Sequence, residues 1–336
     1  MSYALNHNSR CAVIGHGSWA TALVKLLAGN EKTVFWYVRN EEIRESLLTE
    51  SHNCRYLSDV ELDMERIRLF NDLNDTVSRA DLLFFVAPAA FLKDYLSDLQ
   101  VTLKNKFIVS AIKGIIPDSY QSVTDYLKQN YGLVDEQLSF ITGPTHAEEV
   151  AHGKLTYLTL VGADMESVKI VGEKLKASFV HFNYTSEMHF LECVSCLKNI
   201  YALMVGIAVG MGYGDNFIAV LVSNCMSEMC RFLDVTPANT LESISSSGFL
   251  GDLLVSCYSS HSRNRQLGVL IGQGHTVMAA LNEMTMVAEG YYASKLITGI
   301  PAAKRQNMPI AEAVYMILHQ NRPAHTVMKN LEACLC

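Results

Sequence analysis

The chain reads as a doubly wound, parallel α/β sheet followed by an all-helical region. Three observations predict this. Short β-rich runs alternate with helical stretches through the first half. Several of those runs, such as Leu82–Val86 (LLFFV), are continuously apolar rather than alternating, as strands covered on both faces must be. From Ser186 to Leu335 the apolar period turns helical and strand signal fades. Repeated strand–helix–strand units call for a parallel sheet.

In chain order the expected strands are Cys11–Ile14, Thr33–Val38, Arg66–Phe70, Leu82–Val86, Phe107–Ser110, Leu138–Ile141 and Tyr157–Val161. Helical stretches among them are Trp19–Ala28, Ala90–Leu99 and Ser119–Gln129. The second half is expected to carry helices over Glu187–Met211, Asn216–Leu233, Thr276–Ile297 and Ile310–Leu318, punctuated at Asp234–Pro237 and Gly299–Pro301. The boundary this implies is a dinucleotide-binding domain over 1–186 and a helical substrate and catalytic domain over 187–336. Active sites of such chains are expected in the cleft between domains.

With 336 residues, 49% of them hydrophobic, the chain can bury a large core in two domains. Its formal net charge of -7 argues against nucleic acid as a partner, and an anionic substrate would need a local basic cluster. The nine cysteines are scattered, and Met1–Arg10 is polar with no apolar signal segment, which points to a reducing, cytoplasmic setting. Cys193 and Cys196 lie in an apolar run without a second pair at finger spacing, so buried structural thiols are expected there. Asn199–Gly214 is the most membrane-like stretch. It falls short of the roughly 20 residues of a spanning helix, and Lys198 and Asp215 bracket it, so a core helix and no integral membrane segment are expected. His146, His152 and His261 are isolated, and no metal site is read from them.

The first strand runs into Gly15-His16-Gly17-Ser18-Trp19-Ala20, and a helix follows. Gly15 permits the tight turn, Gly17 lets a pyrophosphate approach the backbone, and Ala20 is small enough for helix–strand packing. The phosphates would rest on N–H groups at the helix start. The second strand ends Trp36-Tyr37-Val38-Arg39-Asn40, without the acidic residue that usually reads the ribose. Arg39 can stack on adenine or accept a 2′-phosphate, which favours NADP or dual use over strict NAD preference.

Four later segments carry chemistry. Lys113, beside Gly114, ends a β-run where the carboxyl ends of parallel strands face ligand. Gly143 and Thr145 follow another strand in Thr142-Gly143-Pro144-Thr145-His146-Ala147. Lys198 sits inside an apolar helix, a costly place for a cation unless it is paired or functional. Gly251-Asp252-Leu253 leads to Ser262-Arg263-Asn264, whose charge, planar donors and hydroxyl suit a phosphate.

Taken together, GHGSWATAL, the SAIKG lysine, TGPTHAEEVA, CLKNIYALMVGIAVGMGYGDN, GDLLVSC, SRNRQLG and the Val287-Ala288-Glu289-Gly290 turn resemble the bacterial-type NAD-dependent glycerol-3-phosphate dehydrogenases along nearly the whole chain. The resemblance implies a Rossmann-type domain followed by an all-α domain like the C-terminal part of 6-phosphogluconate dehydrogenase. It implies reversible reduction of dihydroxyacetone phosphate to sn-glycerol 3-phosphate with NADH or NADPH, feeding phospholipid synthesis, and it allows a homodimer. Lys198 is then the proton donor and acceptor, and Lys113 contacts cofactor and substrate. Gly143, Thr145, Asp252, Ser262, Arg263 and Asn264 surround the substrate. Ser18, Trp19, Arg39, Ala147, Arg263, Val287 and Glu289 line the cofactor, with Gly15 and Gly17.

The residue chemistry agrees with these implied roles. Hydride reduction of a ketone leaves negative charge on oxygen, which a lysine of lowered pKa can stabilise and protonate. Burial and Lys113 would lower that pKa, and Asp252 would orient Lys198 and limit the fall. The chain departs from the family pattern at Ala20, at Ser256, and in the helix after Asp215, where Ile218 and Asn224 replace a lysine and an arginine. Two rival readings are a related two-domain NAD(P) reductase of a keto or hydroxy acid, and a non-catalytic NAD(P) and metabolite sensor. The Ser262–Asn264 cluster argues against the first. Retention of Lys113, Lys198, Asp252 and Arg263 argues against the second.

Overall fold

The computed structural model describes residues 5–116, 119, 121–233, 246–284, 286–299 and 308–335. The turn expected at Asp234–Pro237, and Ile300 and Pro301 of the one expected at Gly299–Pro301, lie outside the described residues. The contacts divide the chain into two units, Met1–Ile112 with Gln121–Met188, and Lys113–Tyr120 with His189–Cys336. The sequence reading ran the first domain unbroken over 1–186. The structure instead lends Lys113–Tyr120 to the helical unit, where Ile115 packs into the helical core.

The first unit is built on eight strands: β1 Cys11–Ile14, β2 Val34–Tyr37, β3 Ile67–Phe70, β4 Leu82–Phe85, β5 Phe107–Ser110, β6 Leu138–Thr142, β7 Thr156–Gly162 and β8 Val180–Thr185. Their order across the sheet is β8-β7-β6-β5-β4-β1-β2-β3. The central strands β1, β4 and β5 are buried at every position, which accounts for their unbroken apolar sequence. Every pair is parallel except β6–β7, which is antiparallel, with Phe140 opposite Val161. Only the short helix Ala147–Ala151 lies between β6 and β7. The edge strand β8 went unread because its residues alternate and face solvent, as the burial of VHFNYT shows.

The order of connection reverses between β1 and β4, and ligands of open α/β sheets bind outside the carboxyl ends of the strands at such a switch point. Gly15 follows β1 there with φ of 127°, and a Cβ on it would lie 2.2 Å from the Val86 carbonyl oxygen beyond β4. Only glycine fits both demands.

The second unit is organised around the helix Met188–Gly210, buried from Val194 to Ala208. By length and composition it could cross a bilayer, but 83% of its most apolar stretch is buried inside the protein, as in a core helix. Against it lies the helix Arg263–Gly272. Gly206 and Gly210 of the first meet Gly268 and Gly272 of the second backbone to backbone. A Cβ on Gly206 would come within 2.2 Å of the Arg265 carbonyl oxygen. This glycine spacing lets the two helices approach closely enough for their polar side chains to meet. Where one helix was expected over Thr276–Ile297, the chain forms Val277–Glu283, a break at Met284 (ψ 126°), then Glu289–Ala293 and a 3₁₀ turn over Ser294–Gly299.

Candidate active site

In the helical unit Lys113, Lys198 and Asp252 converge. Lys113 follows the turn after β5, Lys198 projects from the buried helix Met188–Gly210, and Asp252 opens the helix Asp252–Tyr258 after a π-helical turn over Ser247–Gly251. Asp252 is wholly buried and Lys198 is 4% exposed. One carboxylate oxygen of Asp252 accepts from the Lys198 ammonium, and the other lies 3.5 Å from Lys113 Nζ. Lys198 is thus paired with Asp252. Burial pulls the Lys198 pKa down from 10.5 to about 7, Asp252 opposes that fall, and Lys113 adds to it. A buried amine poised near neutrality, between a carboxylate and a second cation, can give a proton to a developing oxyanion and take it back.

Three amide groups brace this cluster. Asn199 Nδ2 donates to the Lys113 carbonyl (3.1 Å), Asn264 Nδ2 donates to Asn199 Oδ1 (2.9 Å), and the Gly290 N–H donates to Asn264 Oδ1 (2.8 Å). A Cβ on Gly290 would lie 2.4 Å from the Asn199 carbonyl oxygen, so the Val287–Gly290 turn reaches this helix only as glycine. Sequence reasoning passed over Asn199 as a bracing residue. Its signal was a carboxamide beside Lys198 in an apolar helix.

Asn264 is 8% exposed and its carboxamide is engaged on both sides. Ser262 caps the helix Arg263–Gly272, its hydroxyl accepting from the Arg265 N–H at 3.3 Å. Arg263 is the half-buried first residue of that helix. Glu289 opens the helix Glu289–Ala293, and Val287 lies two residues before it, half-buried. Ser256 Oγ bonds back to the Asp252 carbonyl at 2.7 Å, which steadies the turn that presents Asp252. Ile218 and Asn224 are buried, and Asn224 is bonded to the Val220 carbonyl, so neither position offers a charge. Cys196 is buried, whereas Cys193 is only half-buried, its Sγ 3.8 Å from His189 Nε2.

The first unit carries the other predicted residues. Gly17 leads into the helix Ser18–Asn30 with no side-chain cap and no acidic residue in the first turn. A Cβ on Gly17 would meet nothing within 4 Å. Packing therefore does not demand glycine at Gly17, and open space lies at the positive end of a helix. The Trp19 indole N–H and the Thr145 hydroxyl are buried without a protein partner. Ser18 and Ala147 are buried. Gly143 closes β6 with φ of 117°. The Arg39 guanidinium lies 4.7 Å over the Tyr95 ring, whose hydroxyl is 3.3 Å from His16 Nδ1. Burial, with Arg39 and Arg55 nearby, pulls the His16 pKa down to about 4, so its ring is neutral at physiological pH.

Two family models match this chain, the NAD-dependent glycerol-3-phosphate dehydrogenase N-terminus over residues 10–168 and the C-terminus over 188–329. Among curated relatives, glycerol-3-phosphate dehydrogenase [NAD(P)+] of Staphylococcus haemolyticus is 31% identical over 96% of this chain and 97% of its own length. That of Staphylococcus saprophyticus is 33% identical over the same shares of each. A crystal structure of glycerol-3-phosphate dehydrogenase from Coxiella burnetii has a TM-score of 0.86 at 23% identity, covering 97% of this chain and 99% of that one, a likeness of fold. The chain belongs to the NAD-dependent glycerol-3-phosphate dehydrogenase family.

Proposed function

We propose that this chain reduces dihydroxyacetone phosphate to sn-glycerol 3-phosphate with NADH or NADPH, reversibly, in the cytoplasm, and so supplies glycerol phosphate for phospholipid synthesis. The observation that carries the reading is the cluster of half-buried Lys113 with buried Asp252 and Lys198. The open, uncapped helix start at Gly17 and the unpaired Trp19 N–H suit a dinucleotide, held by Gly15, Gly17, Ser18 and Trp19, with Arg39 toward the adenosine. When bound, that group supplies the hydride.

The rest falls to the chain's own residues. Lys198 delivers a proton to the carbonyl oxygen of the substrate and recovers one in the reverse direction. Its pKa near 7 makes both protonation states accessible. Asp252 aims the ammonium and keeps its pKa from falling further. Lys113 adds positive potential beside the same carboxylate. Arg263 anchors the substrate phosphate, and its planar fork gives two parallel contacts. One Asn264 N–H is taken by Asn199, and the other is assigned to the phosphate. Binding at that remote group aligns the reacting carbon.

The test is direct: mix the protein with NADPH or NADH and dihydroxyacetone phosphate, and follow cofactor absorbance. Lys198→Ala should abolish turnover while NADPH binding persists; equal loss of both would make Lys198 structural. Turnover with a keto acid but not with this ketone would move the reading to a relative of different substrate. Cofactor binding with no turnover on any substrate would make the chain a sensor.

A further inference from the structure

Three consecutive carbonyl groups in the Gly15–Gly17 loop are each held by a wholly buried side chain. The Trp36 indole N–H donates to the Gly15 carbonyl at 2.7 Å. Asn53 Nδ2 donates to the His16 carbonyl at 3.0 Å. Thr21 Oγ donates to the Gly17 carbonyl at 3.1 Å, alongside its own backbone N–H at 3.0 Å. Trp36, Asn53 and Thr21 all have 0% exposure. Two of the three are also linked: Asn53 Nδ2 donates to Thr21 Oγ at 2.9 Å. Asn53 Oδ1 accepts from the Arg55 and Tyr56 N–H groups at 3.3 and 3.2 Å, which settles the direction of its side-chain amide.

The peptide bonds here are trans. In a trans peptide the C=O of one residue and the N–H of the next point in opposite directions. Tying the carbonyls of Gly15, His16 and Gly17 inward therefore turns the N–H groups of His16, Gly17 and Ser18 the other way. Successive N–H groups aimed outward, at the start of an uncapped helix, form a concave donor site for an anion. A glycine-rich turn alone would hold this shape loosely, since glycine samples both signs of φ.

We propose that Trp36, Asn53 and Thr21 are positioning residues for cofactor binding. Together they form a clamp on the carbonyls that fixes the outward amides against the pyrophosphate of the dinucleotide. The proposal rests on the reading of Gly15–Trp19 as the cofactor loop. None of the three residues touches the ligand. They act by having the donor geometry in place before binding, so that ordering of the loop does not weaken the affinity. Trp36 comes from the end of β2 and Asn53 from the segment after the helix Glu41–Glu50, so residues distant in sequence set the shape of a six-residue motif.

The experiment measures NADPH and ADP dissociation constants on the intact protein, with the melting temperature of the free protein alongside. Trp36→Phe keeps a ring in the core and removes its N–H. Asn53→Ala removes both donors. Thr21→Val keeps the shape and removes only the hydroxyl, the mildest change. Each should weaken ADP and NADPH alike, by roughly tenfold for Trp36→Phe and Asn53→Ala, on the scale of one oriented hydrogen bond. With saturating NADPH, kcat should stay close to that of the unsubstituted protein. A merely structural role would lower the melting temperature and leave the constants of the folded protein alone. Unchanged constants in Thr21→Val, and in whichever of the other two folds, overturn the clamp. Gly17→Val separates the two readings, because a Cβ there meets no protein atom. If it binds NADPH normally, the cofactor-loop reading itself fails. If it loses binding while the clamp variants keep theirs, the clamp alone fails.

Discussion

Replacing Asp252 by asparagine should shift the pH dependence of reduction downward. Asp252 is fully buried, bonded to Lys198 and 3.5 Å from Lys113, and its charge is what opposes the fall of the Lys198 pKa. Two unit charges about 4 Å apart at an effective dielectric near 20 interact by ~4 kcal/mol, and one pKa unit is about 1.4 kcal/mol, so the ceiling on the shift is about three units. A shift of only about one unit would take Lys198 from near 7 to about 6 and leave roughly nine-tenths of it neutral at pH 7. Reduction consumes the ammonium form, so its kcat declines as pH rises through this pKa. Oxidation needs the amine and runs the other way. The assay is kcat for NADPH oxidation by dihydroxyacetone phosphate from about pH 5 to about 9. In the variant the descending limb should move down by one to three units, with the rate at pH 7.5 at least ~8-fold lower and partly restored in acid. The substrate phosphate titrates near pH 6 in both enzymes, so the comparison on one substrate cancels it. A limb that stays in place or moves up, or a loss uniform across pH, refutes control of the Lys198 proton by Asp252.

Arg263→Ala should raise the KM for the ketone phosphate by roughly 10- to 100-fold, the worth of a charge-assisted contact, and Arg263→Lys should raise it less; an unchanged KM in steady-state kinetics removes Arg263 from the phosphate site. Arg39→Asp takes away the cation over Tyr95 and should lower the ratio of kcat/KM for NADPH to that for NADH by about tenfold or more. If that ratio stays put, Arg39 does not read the ribose. Glu228 accepts from Tyr201 and from the N–H groups of Ile310 and Ala311, and burial pushes its pKa up from 4.5 to about 7. The folded protein then holds a proton the unfolded chain has released, so this contribution to stability is full below about pH 4.5 and is lost as pH rises through about 7. Glu228→Gln should flatten the melting temperature over that window, whatever its constant offset, and calorimetry at several pH values would show a persisting slope if the inference is wrong.

Strand content was legible where burial is symmetric. Cys11–Ile14 and Phe107–Ser110 are covered on both faces and read as unbroken apolar runs, with ends that coincide with the strands. The edge strand Val180–Thr185 has no such signature, because a half-exposed strand of His, Asn, Tyr and Thr looks like a loop. The antiparallel turn of Thr156–Gly162 was also invisible: an apolar run states that a strand is buried but not which way it runs. The helix expected over Thr276–Ile297 was read from its period alone. The break at Met284 lets Gly290 press its backbone against the Asn199 carbonyl, a demand that comes from another helix.

The same distinction governs the site. Lys198 announces itself because a charge in an apolar run is costly, and a costly residue calls for a reason, while Asp252 is picked out by the Gly251-Asp252-Leu253 motif. Asn53 and Trp36 do not announce themselves, since an asparagine in a polar loop or a tryptophan in a strand needs no special explanation, and Asn199, a carboxamide in an apolar helix, is overshadowed by the charge beside it. What makes them matter is who sits opposite. For Asn199 that neighbour depends on Gly206, Gly210, Gly268 and Gly272, whose missing side chains let two helices close until Asn199 and Asn264 are 2.9 Å apart. Adding one methyl at Gly206 would force its helix away from the Arg265 carbonyl and pull that amide bridge apart. Asn199, which braces the Lys113 carbonyl, would then lose the partner that orients its carboxamide, though neither lysine nor Asp252 had changed. Groups that react can be picked out one at a time from sequence. Groups that aim them are defined by pairwise approach, and a single sequence records that only as glycine spacing.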